Sequence, residues 1–193
     1  MHTSQQSNPR LFAFVAGDQG FWKIDRTLAV MGEPISAASR LSIFSGAVPV
    51  QGAGFAWALR GTASNERYVL HEEKAQLVSK QEGLGRPAAR CAALIPIRKT
   101  AAWWALPQDV RRKIFEDQSH HIAIGMNYLP AVARRLHHCR DLESAEPFDF
   151  LTWFEFNKSD EPSFDELLAT LRVTEEWAFV DREVEMRLSQ GGD

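Results

Sequence analysis

Four stretches of the chain alternate apolar and polar side chains with the two-residue period of a half-buried strand. Residues 11–15 do so weakly. Residues 148–156 do so most clearly, with Phe148, Phe150, Thr152, Phe154 and Phe156 on one face. Residues 179–188 set Val180, Arg182, Val184, Met186 and Leu188 against Asp181, Glu183, Glu185 and Arg187. Residues 131–139 carry charge within the same period. Arg134, Leu136 and His138 share one face, and Arg135, His137 and Cys139 share the other. Shorter runs at 41–44, 55–59 and 91–97 predict further strands, the last interrupted by Pro96. Residues 21–31 are ambiguous between helix and strand.

Helical spacing marks three more segments. Residues 71–81 predict a helix closed by Gly83, Gly85 and Pro87. Pro107 opens a second at its first position, where a missing N–H costs nothing, with Val110, Ile114 and Phe115 inward. Asp160 or Ser163 caps a third that runs to about Glu176, with Phe164, Leu167, Leu168 and Leu171 inward. From residue 91 onward the order is strand, helix, strand, strand, helix, strand, which is the ferredoxin-like split βαβ pattern. The first half reads as a shorter copy. The expected fold is α+β with two ferredoxin-like halves of the dimeric α/β-barrel type: a shortened N-terminal half at residues 1–88 and a second half at residues 89–189.

Composition narrows the function classes. The 193 residues include 22 Lys and Arg against 25 Asp and Glu, a net charge of −3, so no overall pull toward nucleic acid is expected. No run of about 18 apolar residues exists to cross a membrane, and the polar N-terminus lacks a signal-peptide core. A cytoplasmic location is therefore expected. Cys91 and Cys139 stand far apart with no CxxC spacing and read as reduced thiols rather than a zinc site. Six Trp against two Tyr suggest a wide aromatic core or a pocket for a large flat ligand.

None of the common nucleotide, hydrolase or metalloprotease motifs occurs. The chemistry-bearing residues lie between Lys99 and Glu183: Trp103-Trp104, His120-His121, Arg134-Arg135 and His137-His138. Adjacent residues point to different sides of an element, so neither His pair is placed to chelate one metal. Each of these residues also has a plain structural reading, as a hydrogen-bonded His, a core Trp or a solvated Arg. The residues by themselves therefore reach a soluble α+β protein with an aromatic pocket.

The order of longer motifs adds to this. Leu94-Ile-Pro-Ile-Arg-Lys-Thr100, Trp103-Trp-Ala-Leu-Pro107, Gln118-Ser-His-His-Ile-Ala-Ile-Gly125, Arg134-Arg-Leu-His-His-Cys-Arg-Asp141, Pro147-Phe-Asp-Phe-Leu-Thr-Trp-Phe-Glu155 and Thr174-Glu-Glu-Trp177 follow one another. Together they resemble the chlorite dismutase family, in particular its short-chain, dimeric lineage. The resemblance implies a haem b (iron protoporphyrin IX) in the second half, with His121 as proximal iron ligand and His120 as its competitor. It implies a carboxylate behind that His, Glu175 or alternatively Glu176, supported by Lys99, with Trp103 beside the cofactor. It implies a distal catalytic Arg134 held by Gln81, a homodimer, and conversion of chlorite to chloride and dioxygen. Coproheme decarboxylase and a haem-binding or haem-sensing dimer without turnover are the alternatives. The presence of Arg134 and the scarcity of Tyr weigh against decarboxylation.

Overall fold

The computed structural model describes residues 10–46, 53–63, 80 and 83–190. Eight strands form a closed, wholly antiparallel barrel: β1 (Leu11–Gly17), β2 (Trp22–Met31), β3 (Arg40–Ser45), β4 (Phe55–Ala63), β5 (Cys91–Lys99), β6 (Ala133–His138), β7 (Phe150–Phe156) and β8 (Val180–Gln190). Their order around the barrel is β1-β3-β2-β8-β5-β7-β6-β4. Within each half the sheet order is fourth, first, third, second, so β4-β1-β3-β2 repeats as β8-β5-β7-β6. The ambiguous stretch at 21–31 is a strand. The helix expected at 71–81 lies outside the described residues, apart from Lys80 in helical conformation.

The helices of the second half pack outside the barrel. Thr100 caps α1 (Ala101–Ala105) by accepting from the Trp103 N–H. Pro107 is itself the cap of α2 (Gln108–Arg112), one position earlier than expected, and α2 widens into a π turn over Lys113–Gln118. Two further helices follow, α3 (His121–Met126) and α4 (Glu161–Arg172). The sequence predicts that the last helix reaches about Glu176. It stops at Arg172, because the Thr174 N–H and hydroxyl both return to the Leu171 carbonyl. A separate 3-10 turn, Glu175–Phe179, then carries the chain into β8.

Two apolar cores result, one on each side of the same sheet. Phe14, Trp22, Leu41, Trp57, Trp153 and Met186 fill the barrel. Ile95, Phe154, Phe156, Phe164, Leu168 and Trp177 join α4 to its outer wall. Strand β7 is therefore buried on both faces rather than one. Phe148 precedes it and turns into the interior core with Trp153. Strand β5 runs through Pro96 without a break. Its ladder to β8 skips Ile95 and Pro96, where the proline has no N–H to give.

The alternation expected for β6 decides where its charges go. Paired positions share a face, so Arg134, opposite Phe154, and Leu136, opposite Thr152, lie on the outer wall. Arg135, opposite Trp153, and His137, opposite Leu151, face the interior. His137 is fully buried, wedged edge-on between Phe12 and Phe14, and its Nδ1–H donates to the Leu151 carbonyl at 3.1 Å. Its Nε2 has no hydrogen-bond partner among the described residues.

Burial pushes the His137 imidazole down from 6.5 to about 4. Between those values the unfolded chain holds a proton that the folded chain refuses. Stability therefore falls as the pH drops from 6.5 to 4, by up to about 3 kcal/mol from this group. Urea denaturation at a series of pH values should show this acid slope in the wild type. It should show a shallower slope in His137→Phe, and an equal slope in both proteins would contradict the assignment.

Candidate functional site

The outer wall of the second half holds the residues singled out in the sequence. Glu116, in the π turn, anchors α3: its carboxylate accepts from the Ile122 N–H at 2.7 Å and the Ala123 N–H at 3.4 Å. This satisfies amides at the start of a helix, where the dipole favours a negative charge. His120 adopts a left-handed backbone conformation, φ +51°, just before α3. The turn leaves His120 exposed and sends His121 inward, which separates the two candidates.

The His121 ring stacks on Phe115, with centroids 4.4 Å apart. Its Nδ1–H donates to Glu176 Oε2 at 2.6 Å. That bond fixes the tautomer and leaves the Nε2 lone pair as the ring's available ligand atom. The other oxygen, Glu176 Oε1, accepts from Lys99 Nζ at 2.7 Å, and the Glu176 carbonyl accepts from the same ammonium at 3.2 Å. Ser119 Oγ accepts from the Glu176 N–H at 2.9 Å, so the backbone of this residue is pinned too.

Glu176 and Lys99 are both buried, at 4% and 5% exposure. Burial alone would raise the Glu176 pKa. His121 and then Lys99 outweigh it and hold the carboxyl at about 2. The Lys99 ammonium lies 4.8 Å from the Trp103 ring centroid and 5.5 Å from that of Trp177, and aromatic faces at those distances attract a cation. Trp177 is fixed from behind, because its Nε1–H donates to the buried Glu183 at 2.9 Å. Glu183 in turn accepts from Arg172.

The carboxylate behind His121 is thus Glu176 rather than Glu175, which is exposed at the start of the 3-10 turn. The resemblance leaves Glu175 and Glu176 both open, and the bond to His121 Nδ1 selects Glu176. Trp103 packs against Lys99. Gln81 lies outside the described residues.

Arg134 stands on the outer wall across from α3. A Cβ added to Gly125 would lie 2.6 Å from Arg134 Cζ, so in this conformation the guanidinium packs directly on Gly125 and would have to shift for a larger residue. Gly125 is four residues after His121 and shares its helix face. His121 and Arg134 thereby meet in one cleft. Its sheet side presents the half-buried Leu136, Thr152 and Phe150 beside Phe154. Burial pushes the Arg134 guanidinium down to about 10, so it stays cationic at neutral pH.

The donor set tells what such a cleft can hold. Among the described residues no group of three His, Cys, Asp or Glu is placed to hold a metal ion. A single imidazole backed by a carboxylate suits a metal whose other ligands come with it, as in a porphyrin. The apolar and aromatic wall suits the body of such a ring, and Arg134 supplies a fixed positive charge. Residues that the sequence left unmarked complete the site: Glu116, Gly125, Trp177 and Glu183. Gly125 had a readable signal, being one helical turn from His121. The others became visible only through contacts distant in the chain.

Comparison with known proteins identifies the family. The family model described as chlorite dismutase matches residues 31–191. A curated chlorite dismutase from Ideonella dechloratans is 36% identical over 84 residues, 44% of this chain and 27% of that protein. The match thus spans about a quarter of that relative's own length. Among solved structures, a dimeric chlorite dismutase from Nitrobacter winogradskyi is 52% identical, with a TM-score of 0.84 over 93% of this chain and 99% of that one. The chlorite dismutase from Candidatus Nitrospira defluvii in complex with imidazole shares the fold at a TM-score of 0.63, with 18% identity over 95% of this chain and 92% of that one. A family match over residues 31–191 is more specific than any one motif could be, and the chain belongs to the chlorite dismutase family.

Proposed function

We propose that this protein is a haem b enzyme that converts chlorite to chloride and dioxygen, with His121 as the proximal iron ligand and Arg134 as the distal catalytic residue. The observation that carries the reading is the buried chain Lys99–Glu176–His121 facing Arg134 across Gly125. The barrel then reads as two ferredoxin-like halves, residues 1–88 and 89–189, supported by the strand order that both halves share. The enzyme works as a homodimer, as the 52% identical relative is described to do. The two free thiols, Cys91 and Cys139, support a reducing, cytoplasmic setting.

When bound, haem supplies the oxidation chemistry and the site of O–O bond formation. The overall change is balanced, one chlorite giving one chloride and one dioxygen. The chain's own residues do the rest. Glu176 accepts the His121 Nδ1–H, orients the ring and makes its Nε2 more electron-donating. Lys99 keeps that carboxylate ionised. Arg134 draws a small oxyanion into the cleft and holds the chlorine-containing fragment there until the reaction is complete. Forked, charged donors suit that retention, and fixed donors cost no reorganisation at the moment of reaction.

Four outcomes are expected. Oxygen-electrode traces on the haem-loaded protein should show dioxygen release on adding chlorite. Arg134→Ala should keep its haem, lose about 100-fold in turnover and bleach faster; unimpaired release would remove Arg134 from this role. Titration of haem into His121→Ala should give weaker loading and an altered Soret band, whereas a wild-type band would assign the ligand elsewhere. Lys99→Met leaves a buried carboxylate without its ammonium and should cost about 3–5 kcal/mol in urea denaturation. Lys99→Met with Glu176→Leu should recover most of that loss, and failure to recover it would show that the cost lies in packing alone.

A further inference from the structure

Strand β2 is built unlike the rest of the barrel. Trp22 is buried and Ile24 and Val30 are half-buried, but the other seven residues are exposed. Thr27, Leu28 and Ala29 are exposed in succession, so both faces of the strand meet solvent there. Strand β3 pairs only with Trp22 and Lys23. From Arg26 to Met31 the partner is β8 alone, and the opposite edge has no strand on it among the described residues. Three of the four large apolar side chains exposed in the described structure belong to this strand or adjoin it: Phe21 at 64%, Leu28 at 46% and Met31 at 40%.

A free strand edge with apolar side chains is a site for pairing with another strand, and soluble proteins cover or charge such edges. No lysine or proline guards residues 27–31. Resting on the homodimer reading above, we infer that the edge of β2 over Arg26–Met31, with Leu28 and Met31 beside it, is the surface on which a second copy of this chain docks, by antiparallel pairing of β2 with β2 about a two-fold axis.

An antiparallel edge meets itself under a two-fold rotation, so one patch serves both subunits. The charges at the start of the segment are met within the subunit, Lys23 by Asp25 and Arg26 by Glu185, so they do not oppose the approach of a second copy. The six residues Arg26–Met31 offer ~20 Å of free edge to a partner strand. Leu28 and Met31 lie on the outer face opposite Glu185 and Glu183, so they bury no charge of their own.

The test combines two measurements. Light scattering at micromolar concentration should give a dimer for the wild type. Leu28→Lys with Met31→Lys, both exposed and remote from His121 and Arg134, should give a folded monomer, the dimer weakened on the order of 100-fold. Independently of any variant, hydrogen exchange of the wild-type amides at 26–31 should slow as protein concentration rises. A wild-type dimer whose double variant still dimerises, and whose 26–31 amides exchange equally fast at all concentrations, would overturn the docking surface and leave the homodimer intact. If the variant misfolds, the exchange measurement decides. A wild type monomeric throughout would overturn both.

Discussion

An ionised carboxylate inside a protein is tolerable only when every lone pair facing the interior is met, since the uncompensated charge costs several kcal/mol. Glu176 satisfies that condition through two groups distant in the chain, Lys99 at the end of β5 and His121 at the start of α3. Ser119, beside His121, accepts from the Glu176 backbone N–H and fixes where the carboxylate starts from. Each is held in turn: Lys99 by two indole faces, His121 by the ring of Phe115 and by an α3 whose first amides Glu116 secures. The orientation of one imidazole is thus a consequence of charge compensation deep in the outer wall. Any shift of α3 would leave the Glu176 carboxylate with Lys99 as its one remaining donor.

The closed sheet supplies the second constraint. A strand in a barrel has one face inside and one outside, and β6 uses both for opposite purposes. Outward, Arg134 retains its charge with its guanidinium packed on Gly125. Inward, His137 gives up its charge among aromatic rings. The same adjacency that keeps His137 and His138 from acting as a metal pair therefore separates a functional face from a packing face. Trp residues follow the same division: Trp22, Trp57 and Trp153 fill the barrel, and Trp103 and Trp177 enclose Lys99 outside it.

Much of this was legible in the residues. Period-two patterning located β6, β7 and β8, and it placed Arg134 with Leu136 correctly. The motif order pointed to the family and to His121, Lys99 and Arg134. What failed did so for local reasons. Thr174 ends α4 through bonds to Leu171 that no propensity reveals, so the helix stops at Arg172, short of the expected end near Glu176. Strand β7 showed one apolar face because Leu151 and Trp153 of the second face are joined by no further apolar residue and are flanked by Asp149 and Glu155. Closure of the barrel depends on pairings of β2 with β8 and β4 with β6, which join residues far apart in the chain. The helical expectation at 71–81 and the placement of Gln81 fall outside the described residues.

The claim on which the rest turns is that Glu176 sets the electronic character of the His121 imidazole. Resonance Raman spectroscopy of the ferrous, haem-loaded protein reads this directly through the iron–imidazole stretch. The account predicts a stretch that falls in frequency when Glu176 is replaced by Gln, which can still meet His121 but carries no charge. An unchanged frequency in Glu176→Gln, with haem still bound through His121, would contradict it.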